Sequence, residues 1–300
     1  MSVLASMISR NRKLFFRDKG MFFSSMITPV ILIVLYVTFL AKVYKDSFTS
    51  NLPETVSISH KLINGAVAGQ LAAALLAVTC VTVTFCVNLT MIQDKALGIR
   101  KDFDIAPVSR PRIYLGYFLA TVLNSLMING LALLLCLGYI KLMGWYLTAG
   151  DVMLLIVDVF ILVMFGAVLS SLICYPLTTQ GQLSAVGTII SAFYGFICGA
   201  YMPISSFGEG LQKVMSYLPC TYGTAMLKNH MLNGVFEGMQ AEGLPPEIVS
   251  SIGDSLDCNP VFRGSAVAPG TMMVIMLVSI LILGGIYLLI TMKSENSRKQ

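Results

Sequence analysis

No phosphate-binding loop of the form GxxxxGK[ST] occurs in this chain, and no GxGxxG follows a strand-like run. ATP hydrolysis by that route is excluded. Ionised side chains are scarce: 12% of the 300 residues are charged, against about a quarter in a soluble domain. With only two histidines and no CxxC, the chain offers no metal-ligand pattern. It also lacks a nucleophile beside a base and any paired carboxylates, so an embedded hydrolase has no constellation to work with. A single tryptophan, Trp145, leaves no rank of aromatic platforms for a polysaccharide. The net charge of +5 sits beside apolar runs rather than in a basic patch, so nucleic acid is not the expected partner. The first 20 residues carry five basic residues but no separate apolar core before a cleavage site, so no removable signal is expected.

What the chain has is hydrocarbon. It is 56% hydrophobic with a mean hydropathy of +0.80. Its long runs are continuous rather than alternating, which points to helices and not to a membrane barrel. Six spans are expected: Phe22–Ala41, Gly65–Ile92, Ile113–Leu137, Val152–Tyr175, Leu183–Met202 and Thr271–Met292. Pro29 is expected in the first turns of its span, where a helix tolerates it. An even number of spans puts both termini on one side. That side would hold 13 of the 20 basic residues, and the other side nine of the 15 acids. The excess of Lys and Arg marks the cytoplasm, so both ends are predicted cytoplasmic in a multi-pass cell-membrane protein.

The expected fold class is an all-α membrane protein. Residues 1–20 form an amphipathic segment, with Val3, Leu4, Met7, Ile8, Leu14 and Phe15 on one face and Arg10, Lys13 and Arg17 opposite. Such a helix lies in the interface near anionic head groups; a plain positive flank is the simpler alternative. Residues 21–300 form the transmembrane domain. Its exterior segment, 203–270, begins with two half-apolar stretches too short to cross, Leu211–Leu218 and Tyr222–Phe236, broken by Pro219, Gly223 and Gly234. They read as re-entrant helices. Pro245 and Pro246 open a surface helix.

The loop 93–112 is a dense island of charge between two runs without any: Asp94, Lys95, Arg100, Lys101, Asp102, Asp104, Arg110 and Arg112. Asp94–Ile105 is predicted to form about three helical turns, with Ala96, Leu97, Phe103 and Ile105 as apolar contacts, ended by Pro107 and Pro111. A helix of this kind fits a groove on a soluble partner; a solvated loop obeying the positive-inside rule is equally compatible. Asp158, in LLIVDVFILV, is the only ionisable residue well inside a span. It is either a substrate-cation or proton site, or a structural carboxylate bonded to a neighbouring helix. The small and polar residues of the second and fifth spans, from Gly65 and Gly69 to Gly195 and Gly199, suit close helix packing or a translocation wall. Five cysteines lie in spans; Cys220 and Cys258 fall outside them and are within the possibilities for a disulfide. His60 and His230 read as solvated exterior residues.

Three regions resemble the permease subunit of type-2 ATP-binding-cassette exporters, related in fold to the G-subfamily half-transporters. They are the basic amphipathic start leading into FFSSMITPVILIVLY, the loop DKALGIRKDFDIAPVSRPRIYLGYFLA, and GAYMPISSFGEGLQKVMSYLPCTYGTAMLKNHMLNG. Family loops usually carry Glu-x-x-x-Gly where this chain has Asp94 to Gly98, and usually Arg where it has Lys228.

The resemblance implies a permease with no enzyme activity or cofactor of its own. ATP and Mg would be bound by a separate nucleotide-binding subunit, and a second permease subunit, identical or a close paralogue, would complete the transporter. Asp94, Leu97, Gly98, Arg100 and Phe103 would couple to the ATPase. Thr82, Phe85, Asn88, Ser191 and Phe193 would line the substrate path. Pro203, Leu218, Pro219 and Tyr222 would form the exterior gate. The apolar walls favour an amphiphilic drug or peptide, as in multidrug efflux. The alternative is an ion-coupled secondary transporter or channel using Asp158.

Overall fold

The computed structural model describes residues 3–35, 59–105, 108–262 and 264–299, with Thr38 and Lys42 as isolated further positions. Eleven α-helices appear among the described residues. They are α1 (Val3–Arg17), α2 (Lys19–Leu35), α3 (His60–Ala96), α4 (Arg100–Ile105), α5 (Arg110–Met143), α6 (Ala149–Cys174), α7 (Gln180–Ile197), α8 (Glu209–Met215), α9 (Pro219–Ala241), α10 (Pro246–Ser255) and α11 (Pro269–Lys299). A two-residue hairpin, β1 (Val261–Phe262) with β2 (Ser265–Ala266), pairs Val261 with Ala266.

Four helices are long and apolar enough to cross a membrane: α3, α5, α6 and α11. The chain is a helical multi-pass membrane protein. The other two expected spans are described over shorter helices. α2 is described for 17 residues; apart from Thr38, the rest of that run lies outside the described residues, as do Lys45, Asp46, Glu54, Pro107 and Arg263. Because α2 starts at Lys19, Pro29 sits inside the helix and not in its first turns. α7 ends at Ile197, five residues early, because Gly199 turns left-handed (φ 70°) and the amides of Ala200 and Tyr201 fold back on Gly195 O.

α3 is the axle of the bundle. Its 37 residues rise about 55 Å, and it packs against α2, α5, α6, α7 and α9. Ser59 caps its first turn, accepting from Leu62 N at 3.3 Å. Gly65 and Gly69 make close packing possible: a Cβ would stand 3.0 Å from Gly144 O at the first and 3.0 Å from a Leu232 methyl at the second. α6 begins on a capping box, in which Thr148 and Asp151 exchange side-chain and backbone hydrogen bonds.

The segment after α7 departs from expectation. α9 runs unbroken for 23 residues through Gly223 and Gly234, about 34 Å. Those glycines do not break it; they admit neighbours. A Cβ on Gly234 would lie 1.8 Å from Tyr146 O, inside the backbone of the α5–α6 connection. The helical cost of glycine, about 1 kcal/mol, is smaller than that clash. α10 follows Pro245 as expected. Cys220 and Cys258 are both free and buried, so no disulfide joins them.

Candidate functional site: two polar knots at the ends of the bundle

The charge island resolves into a helix end, a turn and a short helix. Asp94 is not on the short charged helix: it lies in the last turn of α3, buried. The helix stops because Gly98 adopts φ 75°, a conformation that glycine reaches without steric cost. α4 then begins at Arg100. Arg10 of α1 reaches Asp94 with both guanidinium nitrogens, at 2.6 and 3.0 Å, and the Tyr117 hydroxyl of α5 donates to the same carboxylate. Hydrogen bonding to Asp94 raises the Arg10 guanidinium above its ordinary value. Arg10 therefore points inward, contrary to the head-group role expected for it. The buried stripe of α1 is Met7, Asn11 and Phe15, while Val3 and Leu14 are exposed.

Beside this contact, the Lys95 ammonium donates to Cys174 O (3.4 Å), Leu177 O (3.2 Å) and Tyr175 O, which closes the C-terminal end of α6. It also stands over the rings of Tyr114 and Tyr175, at 5.9 and 5.3 Å. Arg100 lies 5.0 Å from the Tyr114 centroid and Arg10 lies 5.3 Å from the Phe103 centroid. Of the five expected coupling residues, Asp94, Arg100 and Phe103 thus join one knot linking α1, α3, α4, α5 and α6. Leu97 (64% exposed) projects outward, as does Ile105 (85%). Tyr117 and the three carbonyls were invisible in the sequence, because a tyrosine in an apolar run and a backbone oxygen carry no pattern.

The residues expected along a path do not share a surface within the subunit. Thr82, Phe85 and Asn88 are buried. Thr82 Oγ1 donates to Val78 O at 3.0 Å, and Asn88 Nδ2 donates to Ser170 and Ser171 of α6 at 3.2 and 3.1 Å. They point into the interior because α3 is surrounded. On α7, Ser191 is half-buried and Phe193 is 59% exposed. Leu218, Pro219 and Tyr222 form the corner between α8 and α9, with Tyr222 OH donating to Ser216 O at 2.5 Å. Pro203 precedes the 3-10 turn Ile204–Ser206.

The second knot lies at that far end, on Lys228, Asn229 and His230 of α9. Lys228 is 1% exposed; it donates to Gly199 O (3.0 Å) and Leu256 O (2.9 Å), and Asp257 lies 3.6 Å away. Asp257 also accepts from Ile204 N at 2.8 Å. Burial pushes the Asp257 carboxyl up from its ordinary range while Lys228 pulls it back. Burial likewise raises the neighbouring Cys258 thiol to about 12, which leaves it unreactive. Asn229 donates to Cys258 O. His230 is not a solvated loop residue: its Nδ1 lies 2.6 Å from Asp158 Oδ2. Asp158 is thus bonded to a neighbouring helix, and His60 alone of the two histidines is exposed. No group of three or more His, Cys, Asp or Glu that could hold a metal occurs among the described residues.

No curated protein and no solved structure matches the chain significantly. Apart from α1 and its Arg10, the helices that present the two polar knots fall within residues 45–293, which match the family model described as ABC-2 family transporter protein. That family's membrane domain is a permease without a nucleotide-binding domain, and its members typically pair with an ATP-binding subunit. Spanning most of the 300 residues, the match shows that this chain belongs to the ABC-2 transporter family.

Proposed function

We propose that this chain is the permease subunit of an ATP-driven exporter with six spans and cytoplasmic termini. Two copies, or this chain and a close paralogue, would stand on separately encoded ATPase subunits that bind ATP and Mg. The observation that carries this reading is the knot around Asp94. An exposed apolar pair, Leu97 and Ile105, offers a docking surface, and Arg10, Tyr117 and Lys95 tie the adjoining end of α3 to α1, α5 and α6. A push on α1 or α4 is thereby passed to the axle of the bundle. Alternating access follows if that push tilts α3 against its neighbours.

The substrate path would lie between α3 and α7 at the dimer axis, with the exposed α7 face carrying Ser191 and Phe193 toward it. Its apolar and hydroxyl groups suit an amphiphilic drug or peptide. The corner of Leu218, Pro219 and Tyr222, with Pro203, would act as the outward gate, and α8 and α9 as its re-entrant elements. The alternative, an ion-coupled carrier or channel working through Asp158, has weaker support, because that carboxylate already engages His230.

The test is reconstitution. The chain is expected to co-purify with an ATPase, and Leu97→Asp is expected to abolish ATP-dependent transport while the complex still hydrolyses ATP. Outward transport by the purified chain with no ATPase present would overturn the proposal.

A further inference from the structure

Three consecutive polar residues, Lys228-Asn229-His230, interrupt an otherwise apolar stretch of α9, and each holds a different part of the molecule. Lys228 grips the end of α7 and the end of α10. Asn229 grips the chain after α10. His230 alone grips α6, through Asp158. One turn on, Asn233 Nδ2 reaches Asp151 Oδ1 at 3.2 Å. The face that α9 turns to α6 is therefore a polar seam. Its deepest member is an imidazole–carboxylate pair with the imidazole 17% exposed and the carboxylate 2%.

The geometry points to a proton-sensitive clasp: protonation of His230 converts its hydrogen bond with Asp158 into a buried ion pair and tightens α9 against α6. This rests on the reading of α9 as part of the outward gate, and it assigns that gate a pH response. Histidine is the side chain whose charge changes across the near-neutral pH range. With the imidazole neutral, Nδ1–H still donates to the carboxylate, but the buried negative charge lacks a counter-ion. With the imidazole protonated, both are satisfied. The clasp is tightest on the acid side of the imidazole titration, until acid strong enough to protonate Asp158 opens it.

Among the described residues, the surroundings supply no rival cation at this point. α6 adds Asp151, held by Thr148 and Asn233. α9 adds Glu237, near Asn233, and Lys228, which is turned toward Gly199 and Leu256. α3 adds Cys80, a buried thiol that feels the charge of Asp158. α10 carries Glu247 and Asp254, the latter bonded to Asn259. α11 has no ionisable side chain before Tyr287.

Hydrogen exchange on the purified chain in lipid nanodiscs tests this at pH 5.5 and 8.0, corrected for intrinsic exchange. Peptides covering 224–236 are expected to exchange about fivefold more slowly at the lower pH, the ratio separating a charge-assisted from a neutral hydrogen bond. His230→Gln, which keeps a donor but cannot be protonated, is expected to erase the difference. The wild-type chain gives a second readout: it has two histidines, so a histidine-labelled sample yields two imidazole signals. The His230 signal is expected to titrate in step with α9 protection, with exposed His60 as the reference. Equal protection of wild-type α9 at both pH values, a difference that survives His230→Gln, or a His230 titration unrelated to protection would each overturn the clasp. None of these measurements involves an ATPase or a substrate, so their failure leaves the exporter assignment standing.

Discussion

At one end of α3 the Lys95 ammonium faces three carbonyl oxygens at the close of α6; at the far end Lys228 faces the carbonyls that close α7 and α10. Both lysines do for a helix terminus what capping residues do elsewhere, satisfying oxygens that have no partner in the helix. They differ in surroundings. Lys95 stands among tyrosine rings at a boundary shared with the half-exposed α4. Lys228 is sealed in and balanced by Asp257. The first end is partly open to its surroundings, and the second is closed.

Substitutions can break this contrast, beginning with the largest effect. Lys228→Met removes a buried cation and strands Asp257, which should cost about 3–5 kcal/mol. Thermal unfolding of the purified protein in detergent measures it, and adding Asp257→Asn should restore part of the loss. An unchanged melting temperature would mean that the far end is not the rigid one. Gly234→Ala forces a methyl into the Tyr146 carbonyl and should cost about 1–3 kcal/mol, read in the same assay. At the other end, Asp94→Asn removes the ion pair with Arg10, which is itself 30% exposed; about 1–2 kcal/mol is expected. On the proposed reading, in which this end transmits, its transport loss should exceed its stability loss. Leu97→Asp, at a side chain with little to lose, should stay within about 0.5 kcal/mol of the wild type and still disable ATP-dependent transport. A large fall in its melting temperature would show that Leu97 packs in the folded subunit after all.

Much of the architecture was legible because membrane helices announce themselves by length and apolarity. α3, α5, α6 and α11 all coincide with expected spans. Apolarity did not reveal which of them is central. The apolar window of α3 is 89% buried and that of α11 is 11% buried, although α3 is the one dotted with Thr, Asn and Gln. In a bilayer the lipid takes the apolar surface, and the interior takes small and polar residues that bond across helices. Read that way, Thr82, Asn88, Gly65 and Gly69 mark packing first.

The site was legible in part. Asp94, Arg100 and Phe103 meet in one knot, but no spacing in the charge island placed them against α1 and α5. Tyr117 and the α6 carbonyls have no sequence signature. His230 reads as a solvated exterior residue because Gly223 and Gly234 read as breaks, whereas both lie inside α9; a glycine that breaks one helix is, in another, the point where a neighbour comes closest. That distinction belongs to the tertiary contact and not to the residue.

α3 carries one more consequence. It is a single uninterrupted rod of about 55 Å, with Asp94 near one tip and Gly65 against Gly144 near the other. Pivoting about its middle, a tilt of about 10° moves each tip by about 5 Å, roughly one helical turn. In the proposed cycle such a rod would serve as a lever of equal arms: a few ångströms applied at Asp94 would arrive at the far tip undiminished and reversed in direction.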